Sequence, residues 1–223
     1  MKETSYLLLV LLPFHLKGTP VPAGRNEFVK TYINTPVRVL LDRGVKTAGI
    51  KSALKNLFIK QETGFSWQQF DSTLEASFLA QGSRQKIRVN LLKEPVEGGL
   101  YVRGGPYPSD KARYKAALYR GAIRISATRE GLTITNMVSI DDYLMGTLAA
   151  EMNASWEPEA LKAQAVASRT YALYMMNHPK NALYDLEATS QDQVYLGVDA
   201  ESEKIRLAIA RTAGEFLITN GKP

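Results

Sequence analysis

The run VSIDDYLMGTLAAEMNASWEPEALKAQAVASRTYALY, from Val138 to Tyr174, decides how this chain is read. Ser139 followed by Asp142 has the form of a capping box, and Ile140, Tyr143, Leu144, Thr147 and Leu148 recur at helical spacing behind it. Asn153-Ala154-Ser155 breaks that helix, and Pro158 suits the first turn of a second one running to about Met176, ended by His178-Pro179. The pair leaves Glu151 between two helices. It also places Lys162, Gln164 and Arg169 on an alanine-rich helix that needs no basic residues in order to pack.

Upstream the period changes from helical to β. Ala116–Tyr119, Ala122–Thr128 and Leu132–Val138 read as three short strands joined by Arg120-Gly121 and Arg129-Glu130-Gly131, a β-meander. Pro36 to Leu41 alternates like a strand, Lys51 to Ile59 is a further mixed apolar segment, and Gln85 to Leu92 reads as one strand in an otherwise poorly legible stretch from 61 to 113. The loop Gly104-Gly105-Pro106-Tyr107-Pro108 reads as a surface connection. Downstream, Leu183 to Tyr195 is a loop with a short strand. Asp199 then caps a last helix over Ala200–Thr212, Gly214 closes it, and Glu215 to Thr219 is a strand. Strands first and helices after them give an α+β fold: a β-rich N-terminal part, then a helix-rich core with a short C-terminal strand.

The ends carry two further expectations. Tyr6 to Leu12 is too short to span a bilayer but has the length of a signal-peptide core, and Val21-Pro22-Ala23 offers a small-residue cleavage site, so residues 1–23 read as an export signal. At the other end, Asn220-Gly221 is a hairpin turn with only two residues after it, which suggests a strand partner beyond Pro223. The organisation expected is thus 1–23 signal, 24–113 β-rich region and 114–223 core, truncated at its C-terminus.

Composition narrows the chemistry. The chain has 223 residues, 45% of them hydrophobic and 22% charged, as a folded globular protein requires. Its net charge of +6 favours an anionic partner: nucleic acid, a membrane surface or a cell-wall polymer. No zinc finger, phosphate-binding loop or aromatic-basic RNA signature supports nucleic acid. There is no cysteine, which excludes disulfides and thiolate metal sites, and the two histidines, His15 and His178, are far apart in sequence.

Among the candidate site residues, Glu151 sits at a helix C-terminus between Ala150 and Met152. Burial there and the negative end of the helix dipole would both favour a protonated carboxyl, able to give its proton to a leaving oxygen. An exposed helix-end glutamate explains the same pattern equally well. Lys162 and Arg169 are seven residues apart and share a helix face, so they suit an anionic substrate; alternatively Lys162 pairs with Glu159, and Leu161, Ala165, Ser168 and Ala172 form the buried stripe. Tyr171, Tyr174, Tyr184 and Tyr195 suffice to line a sugar site, although core packing accounts for them as well. Asp141 and Asp142 read as helix-start residues. No second carboxylate pairs with Glu151, so a two-carboxylate glycosidase is not indicated.

The stretch DDYLMGTLAAEMNASWEPEALKAQAVASRTYALY closely resembles the signature of the stage II sporulation protein D (SpoIID/LytB) family. YRGAIRI, NMVSIDDYL, YDLEATSQDQVYLG and ARTAGEFLITNGKP extend the resemblance over about Pro36 to Pro223. It implies an exported cell-envelope protein, at most peripheral to the membrane, that acts on peptidoglycan glycan strands as a lytic transglycosylase. The glycan would be cut between N-acetylmuramic acid and N-acetylglucosamine to leave a 1,6-anhydro end. Glu151 matches the family's catalytic acid, and Lys162 and Arg169 match its glycan contacts; Gln164 and Tyr171 join them as candidate substrate-binding residues. The single carboxyl is then accounted for, because the substrate's own C6 hydroxyl attacks the anomeric carbon. Some relatives carry a Cys/His zinc loop before the QVY motif. This chain has LEATSQDQVY there, so neither metal nor cofactor is expected. The family's amidase-enhancer branch implies the alternative, a non-catalytic wall-binding module that stimulates a partner amidase.

Overall fold

Alternation of apolar and polar residues lays down the first strands. Val37 and Val39 point into the core from β1 (Val37–Val45), Ala48 and Ile50 from β2 (Thr47–Ser52), and Leu57 and Ile59 from β3 (Leu57–Gln61), while their sequence neighbours are more exposed. The computed structural model describes residues 35–54, 56–71, 73–81, 84–105, 111–153, 155–219 and 223. The export signal, Pro106 to Pro108 and the Asn220-Gly221 turn lie outside these residues.

Two sheets are built. The first has the order β13-β1-β12-β11-β8-β3-β4, with β4 (Gln68–Phe70), β8 (Gly99–Arg103), β11 (Ala122–Thr128), β12 (Gly131–Val138) and β13 (Leu186–Glu187). The second has the order β10-β9-β2-β5-β6-β7, with β5 (Leu74–Gln81), β6 (Arg84–Val89), β7 (Val96–Glu97), β9 (Lys111–Tyr114) and β10 (Ala117–Arg120). All pairings are antiparallel except β1 with β13. Three α-helices follow among the described residues: α1 (Ile140–Glu151), α2 (Pro158–Asn177) and α3 (Glu203–Arg211), with a 3-10 turn at Gly197–Ala200. The expected α+β class and its order, β-rich first and helical later, are what the chain adopts.

Details differ from expectation for identifiable reasons. The three-strand meander is not formed. β11 and β12 make a hairpin, but β10 pairs with β9 in the other sheet. The chain changes sheet at Gly121, whose φ of +72° and close approach leave no space for a side chain: a Cβ there would lie 2.2 Å from the Met137 carbonyl oxygen. The stretch from 61 to 113 supplies β4 to β9, several of them short or half-exposed and therefore weakly patterned. The last helix starts later than expected, with Ser202 as N-cap accepting from Ile205 N. Glu215 to Leu217 carries no ladder; its backbone is held by side chains of α2, and Thr219 makes only a single bridge.

Strand pairing crosses the expected division at 113/114. β1 lies between β12 and β13, and β9 joins β2 to β10. One continuous hydrophobic cluster includes residues of both sheets and all three helices. β12 is buried along nearly its whole length and leads through Ser139 directly into α1, so the helix bearing Glu151 starts from the most protected strand of the molecule.

Candidate functional site

Ser139 Oγ accepts from Asp142 N at 3.2 Å and donates to Asp142 Oδ2 at 2.8 Å, so α1 begins where the capping box placed it. The stripe Ile140, Tyr143, Leu144, Thr147 and Leu148 is buried, and each fully buried large apolar side chain contributes roughly 1.5–3 kcal/mol. Met152 leaves the helix in extended backbone. Glu151 is thus the last helical residue, three beyond Leu148 and four beyond Thr147, in line with the stripe where the helix end emerges from the core. It is exposed, and the burial between Ala150 and Met152 considered from the sequence does not occur. Its Oε1 instead accepts from Val194 N–H at 3.2 Å.

That N–H belongs to the segment Thr189–Leu196, which is strapped to both helices. Asp192 accepts from Tyr171 hydroxyl at 2.6 Å, from Glu187 N at 2.7 Å and from Lys180 Nζ at 2.9 Å, with only 1% of its side chain exposed. Desolvation works against its charge, but hydrogen bonds from Tyr171, Lys180 and the Glu187 backbone outweigh it and hold the carboxyl below its ordinary range. Burial, then the bond to Asp192, pushes the Tyr171 phenol up. Gln193 accepts from Tyr143 hydroxyl at 3.1 Å, and Tyr195 hydroxyl reaches Asn136 Oδ1 on β12 at 2.8 Å. Leu196 N donates to Gly146 O at 3.0 Å. Gly146 permits this approach, since a Cβ there would stand 2.6 Å from the Tyr195 ring. The Val194 amide is therefore placed by its neighbours on both sides and meets Glu151 with little freedom.

The expected substrate contacts separate into different environments. Lys162 pairs with Glu159 at 2.6 Å, and its side chain is 27% exposed. Gln164 is half-buried and donates to Ser168 Oγ at 3.3 Å. Tyr171 spends its hydroxyl on Asp192. Arg169 is 2% exposed. Its guanidinium donates to Asp141 Oδ1 at 3.2 Å, Glu215 O at 3.1 Å, Ile209 O at 3.4 Å and Thr212 Oγ1 at 3.5 Å. In this arrangement Arg169 clamps α2 to the start of α1, the end of α3 and the segment after it, and offers no open surface to a glycan. Lys162 and Arg169 do share a helix face, and that face looks onto α3. About 10 Å of axial rise separates them. At Arg169 the end of α3 closes over the face, whereas at Lys162 it stays open. The buried stripe considered as the alternative, Leu161, Ala165, Ser168 and Ala172, is also present, so the helix serves both readings.

Asp192, Gln193, Lys180 and the Val194 amide had no site role in the sequence reading. Their signal was the run SQDQVYLG itself, in which four polar residues precede Val194, Tyr195 and Leu196; Gln193 and Tyr195 end up buried and Leu196 exposed, ahead of Gly197 at a φ of +70°. Trp156, between α1 and α2, is 54% exposed. Among the described residues no three His, Asp or Glu side chains converge in a way that could hold a metal ion.

Residues 128–218 match the family described as stage II sporulation protein, SpoIID. An uncharacterized protein of Brachyspira hyodysenteriae is 34% identical over 56% of this chain and 35% of its own length. The stage II sporulation protein D of Bacillus subtilis is 34% identical over 39% of this chain and 29% of its own length, and that of Bacillus amyloliquefaciens is similar at 34% over the same shares. The chain thus spans about a third of the length of these relatives.

Proposed function

The chain belongs to the SpoIID family through residues 128–218, and on that premise we propose that it is a peptidoglycan lytic transglycosylase with Glu151 as its single acid–base residue. The observation that carries this reading is an exposed carboxyl fixed at one oxygen by a strapped backbone amide. Val194 N–H occupies Oε1, which leaves Oε2 as the oxygen to exchange a proton with the substrate. Oε2 gives that proton to the glycosidic oxygen as the bond from the muramoyl C1 breaks. The C6 hydroxyl of the same sugar then attacks C1, and its proton returns to Glu151. The product is a 1,6-anhydro end, the enzyme ends as it began, and no water is activated. This route needs no partner carboxylate at Glu151, which hydrolysis would require.

Lys162 and the exposed Trp156 are side chains of the helix pair and its connection suited to an anionic glycan, one by charge and one by stacking. Gln164 and Tyr171 support the site from behind, and Arg169 holds the helices that carry it. Export to the cell envelope belongs to the same proposal; no described helix is long and apolar enough to cross a membrane.

Digestion of purified, peptide-free glycan strands tests the proposal. Anhydro-ended fragments are expected, with a loss of at least a hundredfold in Glu151→Gln while that variant keeps its fold and its binding to sacculi. Undiminished product from Glu151→Gln would overturn the assignment. Binding to sacculi without cleavage by the wild type would instead favour a wall-binding module that assists a partner amidase.

A further inference from the structure

Between the first turns of α2 and the outer face of α3 lies a small cavity of about 90 Å³, lined by Pro158, Leu161, Lys162, Lys204, Leu207 and Arg211 around Ala208. It is well below the roughly 300–1,000 Å³ of pockets that enclose a whole drug-sized ligand, so it takes a small group and not a sugar ring. Its floor is apolar: Leu161 and Ala208 are buried, and Leu207 remains 39% exposed. Its rim holds three cations and no carboxylate. Lys204 and Arg211 pair with no acid among the described residues, and Lys162 meets only Glu159, an exposed i,i+3 partner. Such an exposed pair contributes little and yields easily to a competing anion.

We propose that this groove is a binding subsite, separate from Glu151, for a carboxylate carried beside a methyl group. The three cations hold the carboxylate, and Leu161, Leu207 and Ala208 receive the methyl. Two parts of a wall polymer share that chemistry, the lactyl group of a muramoyl residue and the terminal alanine of a stem peptide. The charge asymmetry favours an anion: like charges gathered on one rim repel one another, and a bound anion offsets that repulsion. The subsite rests on the peptidoglycan reading for the source of its ligand, not for its chemistry.

The test is titration of the nitrogen-15-labelled protein, followed by amide shifts, with two probes. One is a peptide-free muramoyl-containing tetrasaccharide and the other a free stem peptide ending in alanine; each is also prepared with its carboxylate amidated. Shifts in the first two turns of α2 and along α3 are expected for one of the two acids, and which one identifies the source. Amidation, or the double substitution Lys204→Gln with Arg211→Gln, should weaken that binding at least tenfold. Both side chains are exposed, so an unchanged Tm is expected and checks the fold. Equal binding of acid and amide, no effect of the double substitution, or shifts confined to other elements would overturn the subsite. Retained binding together with full cleavage by Glu151→Gln would leave the subsite standing and remove the transglycosylase reading instead.

Discussion

Arg169 and Lys162 have the same residue class, the same helix and the same face, yet their surroundings differ in kind. Removing the fork of Arg169 takes a donor from Glu215 O and from Ile209 O, which keeps only its bonds from Thr212, and hydrogen bonds from a charged group contribute about 1.5–3 kcal/mol. Its ion pair with Asp141 adds little, since that carboxylate is 52% exposed. Arg169→Lys keeps the charge but not the geometry that reaches four acceptors. It is therefore expected to lower unfolding free energy in urea by roughly 1–3 kcal/mol, while Lys162→Gln changes it by less than about 0.5 kcal/mol. Similar stabilities for the two variants would show that the clamp contributes nothing.

At the scale of elements, the strap from Thr189 to Leu196 and α1 hold each other in place. Gly146 is where they touch. A methyl group at that position would meet the Tyr195 ring at 2.6 Å and the Gly197 carbonyl oxygen at 2.9 Å, neither of which can retreat, because Tyr195 is buried and bonded to Asn136. Gly146→Ala would raise intrinsic helix propensity by about 1 kcal/mol, but overpacking of this kind costs about 1–3 kcal/mol. The expected outcome is a net loss of stability and faster amide exchange at Val194 and Leu196 than at the centre of α2, measured by hydrogen exchange. Unchanged protection at those two amides would mean that the strap does not depend on this contact. The helices themselves were legible in the sequence, because cap, stripe and proline all act within a few residues. The strap was not: its order comes from partners on β12, α1 and α2 that lie far away along the chain.

For the whole molecule, the acid limb of stability follows from two aspartates. Burial of Asp42 opposes its charge, but Lys115 and Tyr114 outweigh it; Asp192 is likewise held down by Tyr171 and Lys180. Both folded pKa values lie below the ordinary 3.8. Between the folded and unfolded values the unfolded chain binds more protons, so stability is fully present above the unfolded pKa and is lost as pH falls through the folded ones. Urea titrations from pH 7 downward should show stability declining below about pH 4. The deficit of Asp192→Asn relative to wild type should shrink across the same range; a deficit independent of pH would mean that the Asp192 charge has no part in it.

Class, helix pair and candidate acid were determined by the sequence alone, because hydrophobic period, capping and the EM and ALKAQAVASR runs are local patterns. The tertiary structure decided what those patterns could not contain. It moved β10 into the second sheet through Gly121, enclosed Arg169 beneath α3 while leaving Lys162 open, and set the Val194 amide on Glu151. Each of these depends on contacts between segments far apart in the chain, where burial and hydrogen-bond partners are set by packing and residue type alone leaves the outcome open.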